Sequence, residues 1–371
     1  MHDDTRVIHA GRLPSAQGDP FLPGPVFAAP YLAAGDPAGI PHTYGRFSNP
    51  TWSQYESALS EIEGGSAVVF SSGMAAVTAV FAVVLRPGDI VVIPSDCYYT
   101  TRVLADGYFT QMGIEVRRAP TAGNAQKALL EGAKLLWLES PSNPGLEACD
   151  IAELSETAHQ KGALVAVDNT TPTILGQDPL SLGADLVVSS DTKALTGHSD
   201  LLLGHVTARE SSWADKLRAW RTQSGSVPGP MEVWLAHRSL ATLAVRLERQ
   251  CRNAQMIGEY LSTRSDVVSV RYPGLPDDPS HAVAARQMKS FGPVVSFVLR
   301  DKDHAERFLK ACRLVYEATS FGGVHTTAER RARWGGDQIP DGFIRLSAGC
   351  ENAEDLVEDL TQALDRASAA E

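Results

Sequence analysis

The chain has 371 residues, a length at which two domains are expected. Of these residues 43% are hydrophobic and 21% are charged, which is typical of a globular protein. The net charge of −11, without any long basic block, argues against a surface that binds nucleic acid. The five widely spaced cysteines indicate neither a disulfide framework nor a zinc site, and they favour a reducing, cytoplasmic environment.

Residues 1–50 are rich in proline and glycine. This composition predicts an extended N-terminal arm with little core of its own, which we expect to pack against another subunit. The first residues, Met1-His-Asp-Asp-Thr-Arg, carry acids and no apolar stretch, so no signal peptide is expected.

The segment 67–85 is nineteen residues long without a charge, which is close to the length of a membrane span. Ser71-Ser-Gly interrupts it, and no basic residues flank it. The two pieces therefore predict a buried strand over 67–70 and a buried helix over 74–85, and a membrane partner is not expected.

From residue 51 onward, patterns typical of helices and of strands alternate. The predicted helices are 51–62, 74–85, 125–132 and 151–161, and the predicted strands are 67–70, 90–93, 115–118, 135–138, 164–167 and 186–189. Short Val and Leu runs separated by helices indicate a largely parallel sheet that is covered on both faces. Active sites in such sheets lie at the carboxyl ends of the strands.

A single long helix is predicted over 233–261, and it is expected to link two domains. Beyond it, the predicted strands are 267–271, 294–299 and 344–347, and the predicted helices are 304–311 and 353–367. These elements favour a smaller α+β domain. The expected division is an arm (1–50), a large domain (51–232), and a linking helix with a C-terminal domain (233–371).

Two predicted strands of the large domain end in chemically useful residues. Asp168 follows the strand 164–167, and Lys193 follows the strand 186–189, so both are expected at one edge of the sheet. This pair suits pyridoxal 5'-phosphate, because a lysine forms a Schiff base with its aldehyde and an aspartate keeps its ring nitrogen protonated. A lone lysine in this position would otherwise be a solvated loop residue.

Other strand ends carry residues that suit the same cofactor. Gly73 and Met74 begin a predicted helix, whose N–H groups can bind phosphate, although the preceding serines are also common helix caps. Ser190 and Thr192 can donate to a phosphate or simply form a turn. Tyr98 can stack on the ring or belong to the core.

Two further residues could contact the cofactor or the substrate. Asn143 follows the strand 135–138 and can reach a ring hydroxyl, or it can form a turn. Arg345 lies in an apolar strand pattern, and a buried arginine needs an anionic partner. A substrate carboxylate or an internal Asp or Glu can fill that role.

The histidines and glycines provide little support for other kinds of site. His198 and His205 lie near the lysine, but no metal-ligand spacing such as HExxH is present, so structural roles are favoured over a metal site. Nucleotide binding lacks support because neither GxGxxG nor GxxxxGK[ST] occurs.

In order and spacing, these motifs resemble the cysteine/methionine-metabolism family of pyridoxal-phosphate enzymes. The family includes cystathionine γ-synthases, cystathionine lyases, methionine γ-lyases and sulfhydrylases of trans-sulfuration. The resemblance covers nearly the whole chain. It is carried by the segments 5–11, 44–51, 71–74, 139–144, 167–170, 190–193, 197–200, 226–230, 320–324 and 345–349.

The resemblance implies fold type I of these enzymes, which is similar to aspartate aminotransferase. It implies an α/β fold with a large domain built on a mostly parallel seven-stranded sheet and a smaller C-terminal α+β domain. It also implies a homotetramer, a dimer of dimers, in which neighbouring subunits share their active sites.

The resemblance also implies roles for single residues. The catalytic residues would be Lys193, Tyr98 and Asp168, as Schiff-base lysine, stacking tyrosine and partner of the ring nitrogen. The phosphate cradle would be Gly73, Met74, Ser190 and Thr192, with Tyr44 and Arg46 reaching the phosphate of a neighbouring subunit. The substrate carboxylate would be bound by Asn143, Ser320 and Arg345, with Asn143 also near the ring oxygen.

Three departures from the family pattern concern the substrate. Relatives that act on cystathionine often carry acids where this chain has Thr43 and His325, and those acids would hold the distal ammonium. The tyrosine loop, 98–102, is one residue shorter than the Tyr-Gly-Gly-Thr loop of many relatives. The segment 326–337 resembles an actinobacterial branch similar to cystathionine γ-lyase.

The expected activity is an α,γ-elimination of the cystathionine γ-lyase type, which gives 2-oxobutanoate, ammonia and a thiol. A methionine γ-lyase that releases methanethiol is one alternative, and a cystathionine γ-synthase acting on an O-acylhomoserine is another. An inactive relative that only binds a ligand is the alternative from a different class. His325 is expected near the distal end of the substrate.

Overall fold

The computed structural model describes residues 1–12 and 16–369. Its larger sheet contains β1 (Ser66–Phe70), β2 (Ile90–Pro94), β3 (Glu115–Ala119), β4 (Leu135–Glu139), β5 (Leu164–Asp168), β6 (Leu186–Ser189) and β7 (Gly204–Ala208). The strand order is β1-β7-β6-β5-β4-β2-β3. Only β7 runs antiparallel to its neighbours, so the predicted mostly parallel seven-stranded sheet is confirmed.

Helices cover both faces of this sheet. They are α1 (Asp3–His9), α2 (Pro50–Glu63), α3 (Gly73–Val84), α4 (Tyr99–Leu104), α5 (Ile151–Gln160), α6 (Thr173–Gly176), α7 (Ser211–Ser224) and α8 (Pro230–Leu240). Alternate strand residues point to opposite faces, so Val91 packs with α3 and α7 whereas Val92 packs with α5. The strands therefore need apolar residues on both sides.

The uncharged segment 67–85 forms β1 and α3, as predicted. Ser72, two residues beyond the end of β1, caps α3, because its hydroxyl accepts a hydrogen bond of 3.1 Å from the Ala75 N–H. Within residues 1–12 and 16–369, no helix is long and apolar enough to cross a membrane.

The smaller sheet contains β8 (Val267–Arg271), β9 (Val294–Leu299), β10 (Tyr316–Glu317), β11 (Thr327–Arg330) and β12 (Phe343–Ser347), in the order β10-β11-β12-β9-β8. It packs with α9 (Leu243–Ser262), α11 (Lys302–Ala311) and α12 (Ala353–Ala369), whereas α10 (His281–Gln287) is hydrogen-bonded through Gln287 to the large domain. A separate apolar core, which includes Phe297, Phe308 and Leu360, lies between this sheet and the helices. The expected smaller α+β unit is therefore present.

Two predicted helices were wrong. Residues 125–132 do not form an α-helix; a 3₁₀ helix, Ala122–Leu129, is interrupted by left-handed conformations at Gly123 and Asn124. The single helix predicted over 233–261 is α8 and α9, separated at Thr242, whose φ of −110° and ψ of 2° are not helical. The Thr242 hydroxyl donates to the Ser239 carbonyl at 3.2 Å, which satisfies the end of α8 locally.

The N-terminal arm has two parts. Val7 of α1 and Ala10 are buried in a core with Trp52 and Tyr55, so the first residues pack on their own chain. Residues 16–49 are mostly irregular, with one short 3₁₀ helix at Pro37–Gly39, and include exposed apolar side chains at Phe21, Phe27 and Leu32.

Candidate active site

One cavity of about 370 Å³ collects most of the predicted site residues at the carboxyl ends of the parallel strands. They arrive from the start of α3, the start of α4, the ends of β4, β5 and β6, and the C-terminal domain. The predicted residues that line it are Gly73, Met74, Tyr98, Asn143, Asp168, Ser190, Thr192, Lys193, Ser320 and Arg345.

Lys193 lies in the centre of this set. Its Nζ donates a hydrogen bond of 2.7 Å to the Ser320 hydroxyl and lies 5.3 Å from the centre of the Phe321 ring. Burial lowers the pKa of the Lys193 ammonium to about 8, and the positive charge of Arg345 adds to this effect. About a tenth of the amine is therefore unprotonated at pH 7, far more than for an exposed lysine, and is able to act as a nucleophile or base.

Asp168 has a second carboxylate beside it. Glu139 is its partner in the register of β4 and β5, and both side chains are buried. Burial raises the pKa of both groups, and the charge of Asp168 raises the pKa of Glu139 further. Glu139 also accepts hydrogen bonds from the N–H groups of Tyr98, at 2.7 Å, and Asn143, at 2.9 Å.

No role was predicted for Glu139 from the sequence, although this residue begins the segment 139–144 that carries part of the resemblance. Its position at the end of a strand could have predicted a role, because an acid that ends a buried strand needs hydrogen-bond donors or a cation nearby. In the structure it holds the backbones of two predicted site residues, one on each side.

The expected phosphate cradle is closely packed. A Cβ atom at Gly73 would lie 2.7 Å from the Cβ of Ser190, so only glycine allows this approach. Ser190 and the first residues of α3 line the cavity, and the N–H groups at a helix start suit an anion. The hydroxyl of Thr192 instead contacts the backbone of Leu203, to whose carbonyl it donates at 3.2 Å.

Arg345 is buried and makes the internal ion pair that was one of its two expected roles. Its Nη2 lies 2.6 Å from Glu329 Oε1 and donates at 2.9 Å to the Ser320 carbonyl, and its Nη1 donates at 2.8 Å to Asn143 Oδ1. Burial lowers the pKa of Arg345 to about 10, and Glu329 opposes that shift. Glu329 was missed because β11, which carries it, was not predicted.

The rim of the cavity is formed by a 3₁₀ helix, Arg331–Trp334, of which Arg331 and Trp334 line the cavity. Trp334 Nε1 donates to Glu329 at 2.9 Å. Asp337 accepts hydrogen bonds from Arg331, at 2.8 Å, and from Arg102 of α4, at 2.5 Å. These contacts link the helix that follows Tyr98 to the C-terminal domain.

His205 lies on β7, next to the turn that carries Asp191 and Lys193, and is buried between two acids. Its Nδ1 is 2.5 Å from Asp191, and its Nε2 is 3.1 Å from Glu63. Because both ring nitrogens face carboxylates, both must carry hydrogen, and the ring is an imidazolium. No group of three or more residues suited to a metal is found in the described part of the chain.

Several predicted residues lie outside the cavity. Tyr44 and Arg46 are exposed on the arm, where Arg46 Nη1 donates at 3.3 Å to the Thr222 carbonyl. His325 lies in an adjacent opening that also borders Lys193 and Ser320, and its ring is 6.0 Å from that of Tyr316, edge to face. His198 contacts the Thr196 carbonyl through Nδ1 at 2.6 Å.

The donor set of the cavity fits pyridoxal 5'-phosphate. Two buried carboxylates side by side, Glu139 and Asp168, are stabilised by a cation, which a protonated ring nitrogen supplies. The start of α3 and Ser190 suit the phosphate, and the Lys193 amine suits the aldehyde.

Comparison with known proteins gives matches over nearly the full chain. Residues 5–365 match the family described as Cys/Met metabolism PLP-dependent enzyme. A Streptomyces coelicolor protein, provisionally named a cystathionine gamma-lyase, is 55% identical over 98% of this chain and 93% of its own length. A cystathionine gamma-synthase of Mycobacterium bovis is 38% identical over 97% of this chain and 96% of its own.

A solved structure shows the same fold. The apo structure of CalE6, a methionine gamma lyase from Micromonospora echinospora, has a TM-score of 0.92 and 40% identity, and it covers 98% of this chain and 99% of its own. Fold, cavity and comparisons agree, and the expected resemblance is confirmed. The chain belongs to the Cys/Met-metabolism family of pyridoxal-phosphate-dependent enzymes, and its cofactor is pyridoxal 5'-phosphate.

Proposed function

We propose that the protein is a carbon–sulfur lyase that performs α,γ-elimination on a sulfur amino acid. The products are 2-oxobutanoate, ammonia and a thiol. The observation that carries this proposal is the Lys193 amine, which contacts Ser320 and has a lowered pKa in a cavity that also contains Asp168 and Arg345. An inactive binding protein would have no need of this amine, and the name of the Streptomyces relative favours a γ-lyase.

The division of labour follows from the chemistry of each side chain. When bound, the cofactor supplies an electron sink for the charge that develops at the substrate's Cα. Asp168 holds the proton on the ring nitrogen. Lys193 removes the Cα proton and carries protons between substrate carbons, which a lysine with a pKa of about 8 can do near neutral pH.

Substrate binding is assigned to the group around Arg345. Asn143 Oδ1 and the Ser320 carbonyl orient the guanidinium, and Glu329 neutralises it in the absence of an anion. A planar guanidinium binds a carboxylate through two hydrogen bonds, so the α-carboxylate of the substrate is the proposed ligand. Tyr98, on the cavity wall, is the proposed partner of the ring and of the departing sulfur.

A methionine γ-lyase is the second candidate, and the observation that favours it is the chemistry of the distal end. Thr43 and the exposed His325 occupy sequence positions at which relatives that act on cystathionine often carry acids for its far ammonium. CalE6 is described as a methionine gamma lyase and in another structure as a cystathionine gamma lyase. A γ-replacement on O-acylhomoserine is the third candidate, as in the Mycobacterium relative.

A substrate panel distinguishes these candidates. The purified enzyme is given cystathionine, methionine, homocysteine, or O-acylhomoserine with cysteine, and 2-oxobutanoate and thiol are measured. We expect 2-oxobutanoate and cysteine from cystathionine, and no turnover by Lys193→Ala. Cystathionine formed from O-acylhomoserine, without 2-oxobutanoate from any substrate, would contradict the elimination.

We further propose that the enzyme assembles as a homotetramer, a dimer of dimers, with active sites shared across each dimer. The exposed apolar side chains Phe21, Phe27 and Leu32 support an arm that packs on a second copy. Tyr44 and Arg46 would then reach the phosphate site of that copy. The cytoplasmic location stays a prediction from cysteine use.

A further inference from the structure

One face of α9 carries three buried polar side chains: Arg246, Gln250 and Asn253. They are spaced by four and three residues, so they form one stripe along the helix. Buried polar groups must find partners. Most of the groups to which they donate are backbone carbonyls in three segments that carry predicted active-site residues; Arg246 also donates to the Ser239 carbonyl and the Thr242 hydroxyl, just before its own helix.

Arg246 holds the segment that follows Lys193. Its Nη1 donates at 2.7 Å to the carbonyl of Ala194, and its Nη2 donates at 3.0 Å to the carbonyl of Leu195. A Cβ atom at Gly197 would lie 2.1 Å from Arg246 Nη1, so the chain at this turn lies directly against the guanidinium. Hydrogen bonds from a charged donor are stronger than neutral ones, and two of them fix direction as well as distance.

Gln250 and Asn253 hold the other two segments. Gln250 Nε2 donates to the carbonyls of Gly322, at 3.2 Å, and Gly323, at 2.7 Å, just after Ser320. Asn253 Nδ2 donates at 2.9 Å to the carbonyls of Gly349 and Glu351, which follow β12 and Arg345. One rigid helix therefore contacts the chain next to the amine, the hydroxyl and the guanidinium of the site.

The three segments also contact one another. The Gly322 N–H donates at 2.7 Å to the Ser347 hydroxyl, and the Val324 N–H donates at 2.9 Å to the Gly197 carbonyl. A Cβ atom at Gly322 would lie 2.4 Å from the Ala194 nitrogen. Little space remains for these loops to shift against each other.

Ser320 shows the consequence of this restraint. Its φ is +75°, a left-handed conformation that is rare for residues other than glycine. Such a conformation is unfavourable for a residue with a side chain and persists only where the surroundings fix it. The strained residue is also the one whose hydroxyl contacts Lys193 Nζ at 2.7 Å.

We propose that Arg246 and Gln250 are positioning residues that hold the Lys193 amine against Ser320, in reach of Arg345. Asn253 fixes the segment after Arg345 in the same way. The inference depends on the proposed role of Lys193, but its central measurement requires neither turnover nor a known substrate.

The test compares Arg246→Met and Gln250→Leu with wild type and with Arg249→Met. Arg249 is on the same helix but exposed, so its substitution is the matched control. In cofactor-free protein, acetylation of Lys193 by acetic anhydride is followed over a range of pH by mass spectrometry. Exposed Lys127 serves as the internal standard.

In wild-type protein we expect the Lys193 labelling midpoint near the pKa of about 8. The charged groups that face the amine, Asp168 of β5, Glu329 of β11 and Arg345 of β12, are unchanged in the variants. Release of the loop hydrates the ammonium, so Arg246→Met and Gln250→Leu should raise the midpoint by about half a pH unit or more. Arg249→Met should not.

Turnover provides the second measurement. We expect kcat to fall about tenfold or more in both stripe variants while KM changes less than about threefold, because misplacement by about 1 Å is costly to the chemical step. If Arg246→Met does not fold, the test rests on Gln250→Leu, because glutamine and leucine are both uncharged and similar in size. Folded variants with an unchanged Lys193 midpoint, or an equal shift in Arg249→Met, would overturn the inference.

The two proposals fail in different ways. Wild-type protein that turns over no substrate in the panel, but whose Lys193 midpoint shifts in the stripe variants, would reject the lyase and support the positioning role. A working lyase with unshifted midpoints would reject only the positioning role.

Discussion

Individual residues of the cavity depend on one another through charge. Asp168 and Glu139 are neighbours on β5 and β4, and burial raises the pKa of both carboxyl groups. A buried acid pair of this kind is costly unless a cation compensates it. The ring nitrogen of pyridoxal 5'-phosphate is the proposed cation, which makes Asp168 the residue whose charge matters most for the chemistry.

Asp168→Asn is expected to retain the cofactor but to lose turnover by about a hundredfold or more, because the amide no longer favours a protonated ring. Absorbance of bound cofactor and kcat/KM for the best substrate are the measurements. Asp215→Asn, at an exposed aspartate, is the control. Near wild-type turnover in Asp168→Asn would show that the aspartate has only a structural role.

A second prediction for a single residue concerns His325 and the choice of substrate. His325 lies in the opening next to Lys193, and its proposed place is near the distal end of the substrate. A charge-assisted hydrogen bond is worth about 1.5–3 kcal/mol, or roughly ten- to a hundredfold in selectivity. His325→Glu should raise the ratio of kcat/KM for cystathionine over methionine by that factor, whereas uncharged His325→Gln should not.

Two results would contradict this account of specificity. One is a wild-type enzyme that already prefers cystathionine over methionine by several thousandfold. The other is an unchanged ratio in His325→Glu.

Among the secondary-structure elements, β7 contacts the turn that carries Asp191 and Lys193 through the buried side chain of His205. His205 on β7 lies opposite Ser189 of β6 and bridges Asp191 of the turn to Glu63 of α2. Tyr55 adds a hydrogen bond of 3.1 Å to Asp191. Burial of the ring opposes its protonation, but Asp191 and Glu63 outweigh burial and raise the pKa of His205 to about 10.

The raised pKa of His205 predicts how stability depends on pH. An unfolded histidine titrates near 6.5, so the imidazolium's contribution is complete below that pH and is lost as the pH rises through about 10. His205→Gln should therefore be less stable than wild type by about 3 kcal/mol at pH 6, the cost of breaking a buried ion pair. The difference in the free energy of unfolding between the two proteins should decrease toward pH 10.

Urea unfolding of both proteins at pH 6, 8 and 10 measures this gap. His159→Gln, at an exposed histidine that pairs with Asp185, is the control and should show little change. A gap that stays constant between pH 6 and pH 10 would show that His205 does not act through its charge.

On the scale of the whole molecule, one chain supplies most of the predicted residues that line the cavity, but it does not cover the apolar side chains of the arm. Phe27 and Leu32 are exposed at 68% and 103%. The exposed Arg46 donates to Thr222 of α7 and lies over the rings of Tyr44 and Phe47 in the arm itself. Residues 16–49 thus have apolar surface that their own chain leaves uncovered. A second copy is the proposed partner.

Shared sites predict that mixed oligomers recover activity. Arg46→Ala and Lys193→Ala should each be inactive alone. Once mixed and reassembled, hybrid dimers would contain one site with an intact Lys193 and a partner's intact Arg46, so up to about a quarter of wild-type activity should return. Native mass spectrometry would establish mixing, and no recovery in mixed oligomers would argue against sharing.

The sequence by itself determined the local features of the large domain. Apolar runs bounded by glycine and hydroxyl residues located six strands to within a residue or so, because a strand buried on both faces requires such runs. The same strand ends carry Asp168 and Lys193, so the edge at which the site would form followed from the order of the elements. The division at residues 50 and 232 stays a prediction.

Only the tertiary structure decided which groups meet. Glu329 is on β11, a short strand with charged residues whose pattern does not differ from a loop, yet its pairing with β12 places it against Arg345. The pairing of His205 with Asp191 and the contacts of Arg246 with the Lys193 segment join distant parts of the chain. Local patterns record burial and turns, whereas these partnerships depend on how separate elements pack, which no local pattern encodes.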